Sequence, residues 1–268
     1  MTRPGAAPKP QARNPFRKAP ALAILTARDR LIVALDLPDV EAAGALVKQL
    51  GDGVVFYKIG LELAMAGGLD LARRLSGAGK RVFLDMKLLD IENTVERATR
   101  AAATTGAAFL TVHALDTKTL RAAVTGAAGT GLRILGVTVL TNLDGGDLAE
   151  QGIAEAPGDV VVRRARLASD AGCAGIVASG REAAPVRRAL GPDATIVTPG
   201  IRAPGGAAGD QTRVVTPHAA IGAGADYLVV GRPITQAGDP VTAAAAFVQA
   251  IEEALAARPV SDPPGLTP

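Results

Sequence analysis

Asp85, Lys87 and Asp90 fall close together in the stretch Arg81-Val82-Phe83-Leu84-Asp85-Met86-Lys87-Leu88-Leu89-Asp90. It begins as an apolar run rich in β-formers and ends in three charges. Alternate residues of a strand point to the same face, so Asp85 and Lys87 are expected to project side by side. Asp90 lies at most ~10 Å beyond Lys87 along an extended chain, which puts it in the loop past the strand end. Charges gathered this way destabilise a fold unless they are paired. Such a grouping is suited to holding a proton and to stabilising charge that develops on a bound molecule.

Strands must deliver these side chains. From position 31 the chain alternates strand-like runs, at 31–36, 54–60, 81–87, 107–113, 133–139, 175–178, 195–199 and 226–230, with helix-like stretches. The helical stretches are 40–50, 62–77, 91–105, 117–128, 159–171, 181–190, 211–223 and 240–256. Several strand runs are continuously apolar, the pattern of strands covered on both faces. Asp39, Asp116 and Asp239 stand where N-caps are expected, and Gly51, Gly79 and Gly106 follow helix ends. Repeated βα units of this number predict a closed (β/α)8 TIM barrel in one domain over residues 29–257. The count alone leaves an open doubly wound sheet as the competitor, but no Gly-x-Gly-x-x-Gly follows the first strand. Loops near 142–158 and 200–210 are long enough to serve as lids.

In a barrel the C-terminal strand ends converge on one site. Here they carry Asp36, Lys58, Asp85, Lys87, His113, Thr141 and Arg232. Read as structure alone, the four charges of the first three strands would be an ion-pair plug at the barrel mouth. Read as chemistry, they are an acid–base array, to which His113 adds little by itself. Gly231-Arg232 follows the last strand, where many barrels bind phosphate, and arginine is a bidentate partner for a phosphate dianion. Gly200 and Gly231 would admit a close backbone approach. Thr198-Pro199-Gly200-Ile201-Arg202 and Gly209-Asp210-Gln211 could grip the ligand from a lid. A phosphorylated small molecule is the implied ligand. No metal site is expected: His113 and His218 are far apart, and the aspartates have lysines for neighbours.

Composition narrows the partners. Aromatic residues are 3% of the 268 residues and tryptophan is absent, which disfavours base-stacking recognition of nucleic acid. Six basic residues and no acid lie in the first 28 positions, so the net charge of +3 becomes about −3 over the remainder. The basicity thus belongs to a Pro/Ala-rich extension, residues 1–28, expected to lead into a short helix that covers one end of the barrel. Residues 258–268 read as a disordered tail. Cys173, the single cysteine, is expected to be a small buried hydrophobe. No run is long enough to span a membrane, and a cytoplasmic protein is the default expectation.

The motif Asp85-Met86-Lys87-Leu88-Leu89-Asp90-Ile91-Glu92-Asn93-Thr94-Val95 resembles the signature of the orotidine 5′-phosphate decarboxylase family. Ile32-Val33-Ala34-Leu35-Asp36, Tyr57-Lys58-Ile59-Gly60, Gly136-Val137-Thr138-Val139-Leu140-Thr141, Thr198-Pro199-Gly200-Ile201-Arg202, Gly209-Asp210-Gln211 and Tyr227-Leu228-Val229-Val230-Gly231-Arg232-Pro233-Ile234 match in the same order. The resemblance departs at Leu89 and Glu92, where the family often has histidine and proline. It implies a barrel that converts orotidine 5′-phosphate to UMP and CO2 with neither metal nor organic cofactor. Lys87 would protonate C6 of the pyrimidine, Asp85 would face the substrate carboxylate, and Lys58 and Asp36 would order the charges and the ribose hydroxyls. Thr141 would contact the pyrimidine, while Gln211 and Arg232, with Arg202 and Gly231 beside them, would hold the phosphate. Asp90 and Thr94 would reach the neighbouring subunit's site, making the active unit a homodimer. Mg²⁺-dependent relatives on the same scaffold carry a glutamate where this chain has Lys58. A catalytically silent nucleotide sensor would have no need of Lys87.

Overall fold

The eight apolar runs pair in sequence order and close on themselves in the computed structural model, which describes residues 25–202 and 215–258. The strands are β1 Leu31–Ala34, β2 Phe56–Ile59, β3 Arg81–Leu88, β4 Phe109–His113, β5 Arg133–Val137, β6 Gly175–Val177, β7 Thr195–Thr198 and β8 Tyr227–Val230. All neighbours are parallel, and β8 pairs with β1 to complete the (β/α)8 barrel. Most strands end a residue or two before the apolar run does, while β3 continues to Leu88.

Alternation along the strands divides the core in two. Ile32, Ala34, Phe56, Phe83, Phe109, Leu135, Val197, Tyr227 and Val229 fill the barrel interior. Their neighbours Leu31, Val33, Tyr57, Ile59, Val82 and Leu84 pack outward under the helices. Three of the five phenylalanines and one of the two tyrosines are thus in the interior layer. The Arg81 guanidinium closes the floor, 4.2 Å from the Phe56 ring centroid and donating to the Tyr227 hydroxyl at 3.1 Å. Two residues beyond Phe56, Phe83 and Phe109 on the same faces stand Lys58, Asp85 and Thr111. The polar layer of the mouth therefore rests on a buried aromatic floor.

Helices Val40–Leu50, Thr117–Ala127 and Pro240–Ala256 begin where the aspartates foretold, with Asp39, Asp116 and Asp239 accepting main-chain N–H groups of the first turn. The short helix Ala27–Arg30 packs against β1, β8 and the last helix, as expected of a cover at one end. Other expectations need correction. The helix read over 62–77 is broken into Leu61–Leu63, a wide turn Ala64–Gly68 and Leu69–Gly77. Gly67 there has φ 92°, and a Cβ on Gly68 would stand 2.5 Å from the Leu63 carbonyl oxygen, so the glycine pair is what permits the kink. The loop expected over 142–158 contains helix Gly145–Glu150, opened by an Asp144–Asp147 capping box, and Pro157 starts the next helix earlier than 159. A short helix, Arg232–Thr235, follows β8. The stretch expected to be helical over 211–223 is helical at Pro217–Gly222. Most of the expected extension and tail (residues 1–24 and 259–268) and Gln211 lie outside the described residues. Among the described residues no helix is long and apolar enough to cross a membrane.

Candidate active site

A cavity of about 600 Å³ opens at the C-terminal ends of the strands. One wall comes from the ends of β1 to β3. Lys58, the most enclosed of its charges, sends Nζ 2.8 Å from Asp36 Oδ1 and 3.5 Å from Asp85 Oδ2. Lys87 Nζ lies 2.8 Å from the other Asp85 oxygen, Oδ1. The order is therefore acid, ammonium, acid, ammonium, with no net formal charge. Four like-signed or unpaired charges here would be costly, whereas alternation lets each ion offset its neighbour's desolvation. All four line the cavity.

Asp85 sits at the centre of this wall. Burial alone would raise its carboxyl, but Lys58 and Lys87, with hydrogen bonds from Lys87 and Thr111, together hold it below the usual carboxylate range. It is ionised throughout the neutral range, held by the Lys58 and Lys87 ammonium groups and the Thr111 hydroxyl. His113, one layer out on β4, is pushed the other way: burial first, then Lys87 and Arg164, lower its imidazole against the pull of Asp85. It stands neutral at pH 7 and is not part of the ion chain. Gly60 completes the wall by being small. A Cβ there would meet Asp36 Oδ1 at 2.9 Å and Lys58 Nζ at 3.1 Å.

The facing wall comes from the last strands. Pro199, Gly200 and Arg202 beyond β7, and Gly231 and Arg232 beyond β8, line the same cavity, with Thr141 from beyond β5. Gly200 has φ 78°, a conformation that glycine adopts without penalty. Arg202 is buried, and its main-chain N–H donates to the Val215 carbonyl at 3.2 Å, where Ile201 and Val215 form an isolated bridge. A Cβ on Gly231 would meet Ala34 of β1 at an ordinary 3.6 Å. Lys87 and Arg232 thus open into one cavity of ligand size, an ammonium and a guanidinium on its lining.

Two expected site residues are elsewhere in this chain. Asp90 and Thr94 are exposed and do not line the cavity. Asp90 edges a separate shallow hollow with Leu89, Ile91, Asp116 and Lys118. Two contributors went unread in the sequence. Thr111 is fully buried on β4 and bonded to both Asp85 and Lys87. The alternation Phe109-x-Thr111-x-His113 could have disclosed it, since it puts a hydroxyl on the interior face beside Asp85. The other is Gly60, whose smallness matters only once Asp36 and Lys58 are seen against it. Cys173 is buried as expected, its thiol pushed up to about 12 by burial. Among the described residues no group of three or more His, Cys, Asp or Glu could hold a metal ion. The Lys58 ammonium already occupies the gap between Asp36 and Asp85.

The model of the orotidine 5′-phosphate decarboxylase / HUMPS family matches residues 29–247. An orotidine 5′-phosphate decarboxylase of Methylorubrum extorquens (strain PA1) is 58% identical over 227 residues, covering 85% of this chain and 97% of that one. One from Rhodopseudomonas palustris (strain BisA53) is 56% identical over 225 residues, covering 84% of this chain and 95% of that one. Among solved structures, the crystal structure of the orotidine 5′-phosphate decarboxylase from Lactobacillus acidophilus superposes with a TM-score of 0.73 at 36% identity, covering 82% of this chain and 98% of that chain.

Proposed function

The chain belongs to the orotidine 5′-phosphate decarboxylase / HUMPS family, and from that premise we propose that it decarboxylates orotidine 5′-phosphate to UMP and CO2 for pyrimidine synthesis, using its own side chains in place of any metal or organic cofactor. The observation that carries this reading is the Lys87 ammonium, tied to Asp85 at 2.8 Å and opening into the cavity that Arg232 also lines.

Breaking the bond from C6 to the carboxylate releases CO2 and leaves the electron pair on C6. That pair lies in the ring plane, outside the π system, so the ring carbonyls delocalise it poorly. The Lys87 ammonium supplies what the substrate lacks: positive charge beside C6 as the bond stretches, then a proton to C6. Lys87 is left as an amine and regains its proton from solvent, so one proton is consumed per CO2 released. Asp85 faces the substrate carboxylate. Two like charges 4 Å apart repel by ~4 kcal/mol at an effective dielectric of 20, about three decades of rate at most. With Lys58 and Lys87 both on Asp85, the repulsion is smaller still. Stabilising the transition state therefore outweighs destabilising the bound substrate. Asp36 and Lys58 order the ribose side, Thr141 contacts the pyrimidine, and Arg202, Gln211, Gly231 and Arg232 hold the phosphate.

The test is the absorbance change of orotidine 5′-phosphate with the purified chain in EDTA. We expect turnover at the same rate with and without the chelator. Loss on chelation with recovery on adding Mg²⁺ would favour a metal-dependent sugar-phosphate enzyme. Tight UMP binding without turnover would favour a nucleotide sensor.

The same proposal makes the working unit a cytoplasmic homodimer, in which Asp90 and Thr94 complete the neighbour's site. In support, Leu89 and Ile91, on either side of Asp90, are 51% and 73% exposed, an apolar surface suited to a second copy. Chains carrying Lys87→Ala and chains carrying Asp90→Ala should each be nearly inactive alone. Co-expressed, about half the dimers are mixed and each mixed dimer rebuilds one unaltered site, so activity should return to about a quarter of the parent's. Mixed dimers with no recovered activity would place Asp90 in its own chain's site, and an Asp90→Ala chain active by itself would place it in none.

A further inference from the structure

Where β3 meets β4 the ladder slips. Leu84 pairs with Leu110, but the next pair is Leu88 with Val112, so β3 spends four steps where β4 spends two. The surplus residues are those that carry the chemistry, Asp85 to Lys87. A bulge leaves main-chain groups without ladder partners and turns side chains to new directions. Here the Lys87 N–H finds a side chain instead, donating to Thr111 Oγ1 at 2.9 Å. The same hydroxyl donates to Asp85 Oδ1 at 2.9 Å, so its proton and one of its two lone pairs are engaged. Lys87 has φ 49°, and among the described residues it is the sole non-glycine with positive φ. That conformation is strained for a residue with a β-carbon and persists only where its surroundings fix it. Thr111 has no exposed surface and does not itself line the cavity, and its Oγ1 bridges two residues that do, Asp85 and Lys87.

We propose that Thr111 is a positioning residue for the decarboxylation: its hydroxyl locks the bulged main chain of Lys87 to the carboxylate of Asp85, and thereby aims the Lys87 ammonium at the reacting carbon. The inference rests on the proposed function. A threonine that merely filled the strand would satisfy its hydroxyl on a main-chain carbonyl of its own or a neighbouring strand. Among the described residues this one bonds to the proton donor Lys87 and to Asp85 beside it, and to no others. Valine has nearly the same shape but can neither accept from Lys87 nor donate to Asp85. Serine keeps the hydroxyl and loses a methyl group.

The experiment compares kcat and KM for orotidine 5′-phosphate in the parent chain, Thr111→Val and Thr111→Ser, with thermal melts of each. Misplacing a reacting group by a fraction of an ångström to 1 Å costs up to about 100-fold, so Thr111→Val should lower kcat by roughly 10- to 100-fold with KM nearly unchanged. Thr111→Ser should recover kcat to within about threefold of the parent even if its melting temperature falls, because the two hydrogen bonds survive the lost methyl. If the valine chain does not fold, Thr111→Ala carries the same expectation. A hydroxyl-free variant with parental kcat, a loss confined to KM, or a serine variant as slow as the valine one would each overturn the inference. A parent chain that leaves orotidine 5′-phosphate untouched would instead sink the function on which it rests.

Discussion

Replacing Lys87 with alanine is expected to lower kcat/KM for orotidine 5′-phosphate by at least roughly 10⁴-fold, with the far-ultraviolet spectrum and melting temperature close to the parent's. A well-placed proton donor contributes about 10²–10⁴, and a charge aimed at a developing anion about 10²–10³. One ammonium does both here, so the single substitution removes both. The fold should tolerate it. Lys87 is 29% exposed at its side chain, and Asp85 keeps Lys58 and Thr111 as partners when Lys87 is gone. Asp85→Ala would be the harsher change for stability, since it strips the deeply enclosed Lys58 of one of its two acids. Activity of Lys87→Ala above about a hundredth of the parent's would remove Lys87 from the role of proton donor.

The architecture was legible because each level repeats. Apolar runs of strand length recur with capped helices between them, and a parallel sheet of this size with both faces covered leaves few topologies. The charge chain was legible for the same reason: strand ends converge in a barrel, so Asp36, Lys58, Asp85 and Lys87 had to meet once the strands were placed. What escaped depends on the departures from repetition. The kink at Ala64–Gly68 needs two glycines inside a stretch whose apolar spacing still reads as helix. The bulge of β3 follows from pairing with β4, which a single strand's alternation does not encode. Thr111 was hidden by its own propensity. A threonine between Leu110 and Val112 reads as an ordinary strand former, and its role exists only across the bulge. Helix Gly145–Glu150 was hidden by its glycines, although Asp144 and Asp147 spell its capping box.

Arg232→Ala is expected to lower kcat/KM for orotidine 5′-phosphate by roughly 10²-fold while changing turnover of orotidine, which has no phosphate, by less than about twofold. Charge-assisted hydrogen bonds to a phosphate contribute about 1.5–3 kcal/mol each, and a bidentate guanidinium makes two. Arg232 is exposed at the cavity rim, so solvent screening argues for the lower part of that range. Buried Arg202 lines the same wall and would retain part of the grip, which is why the loss should stop short of abolition. The phosphate lies away from the reacting carbon, so its binding energy acts only by holding the pyrimidine against Lys87. Some of the loss should therefore appear in kcat as well as in KM. The orotidine arm separates this account from a general disturbance at the mouth. Arg232 follows β8, whose Val230 pairs with Val33 of β1 shortly before Asp36, so a substitution that deformed the strand end would slow both substrates alike. Equal losses on the two substrates would mean that Arg232 supports the wall and does not read the phosphate.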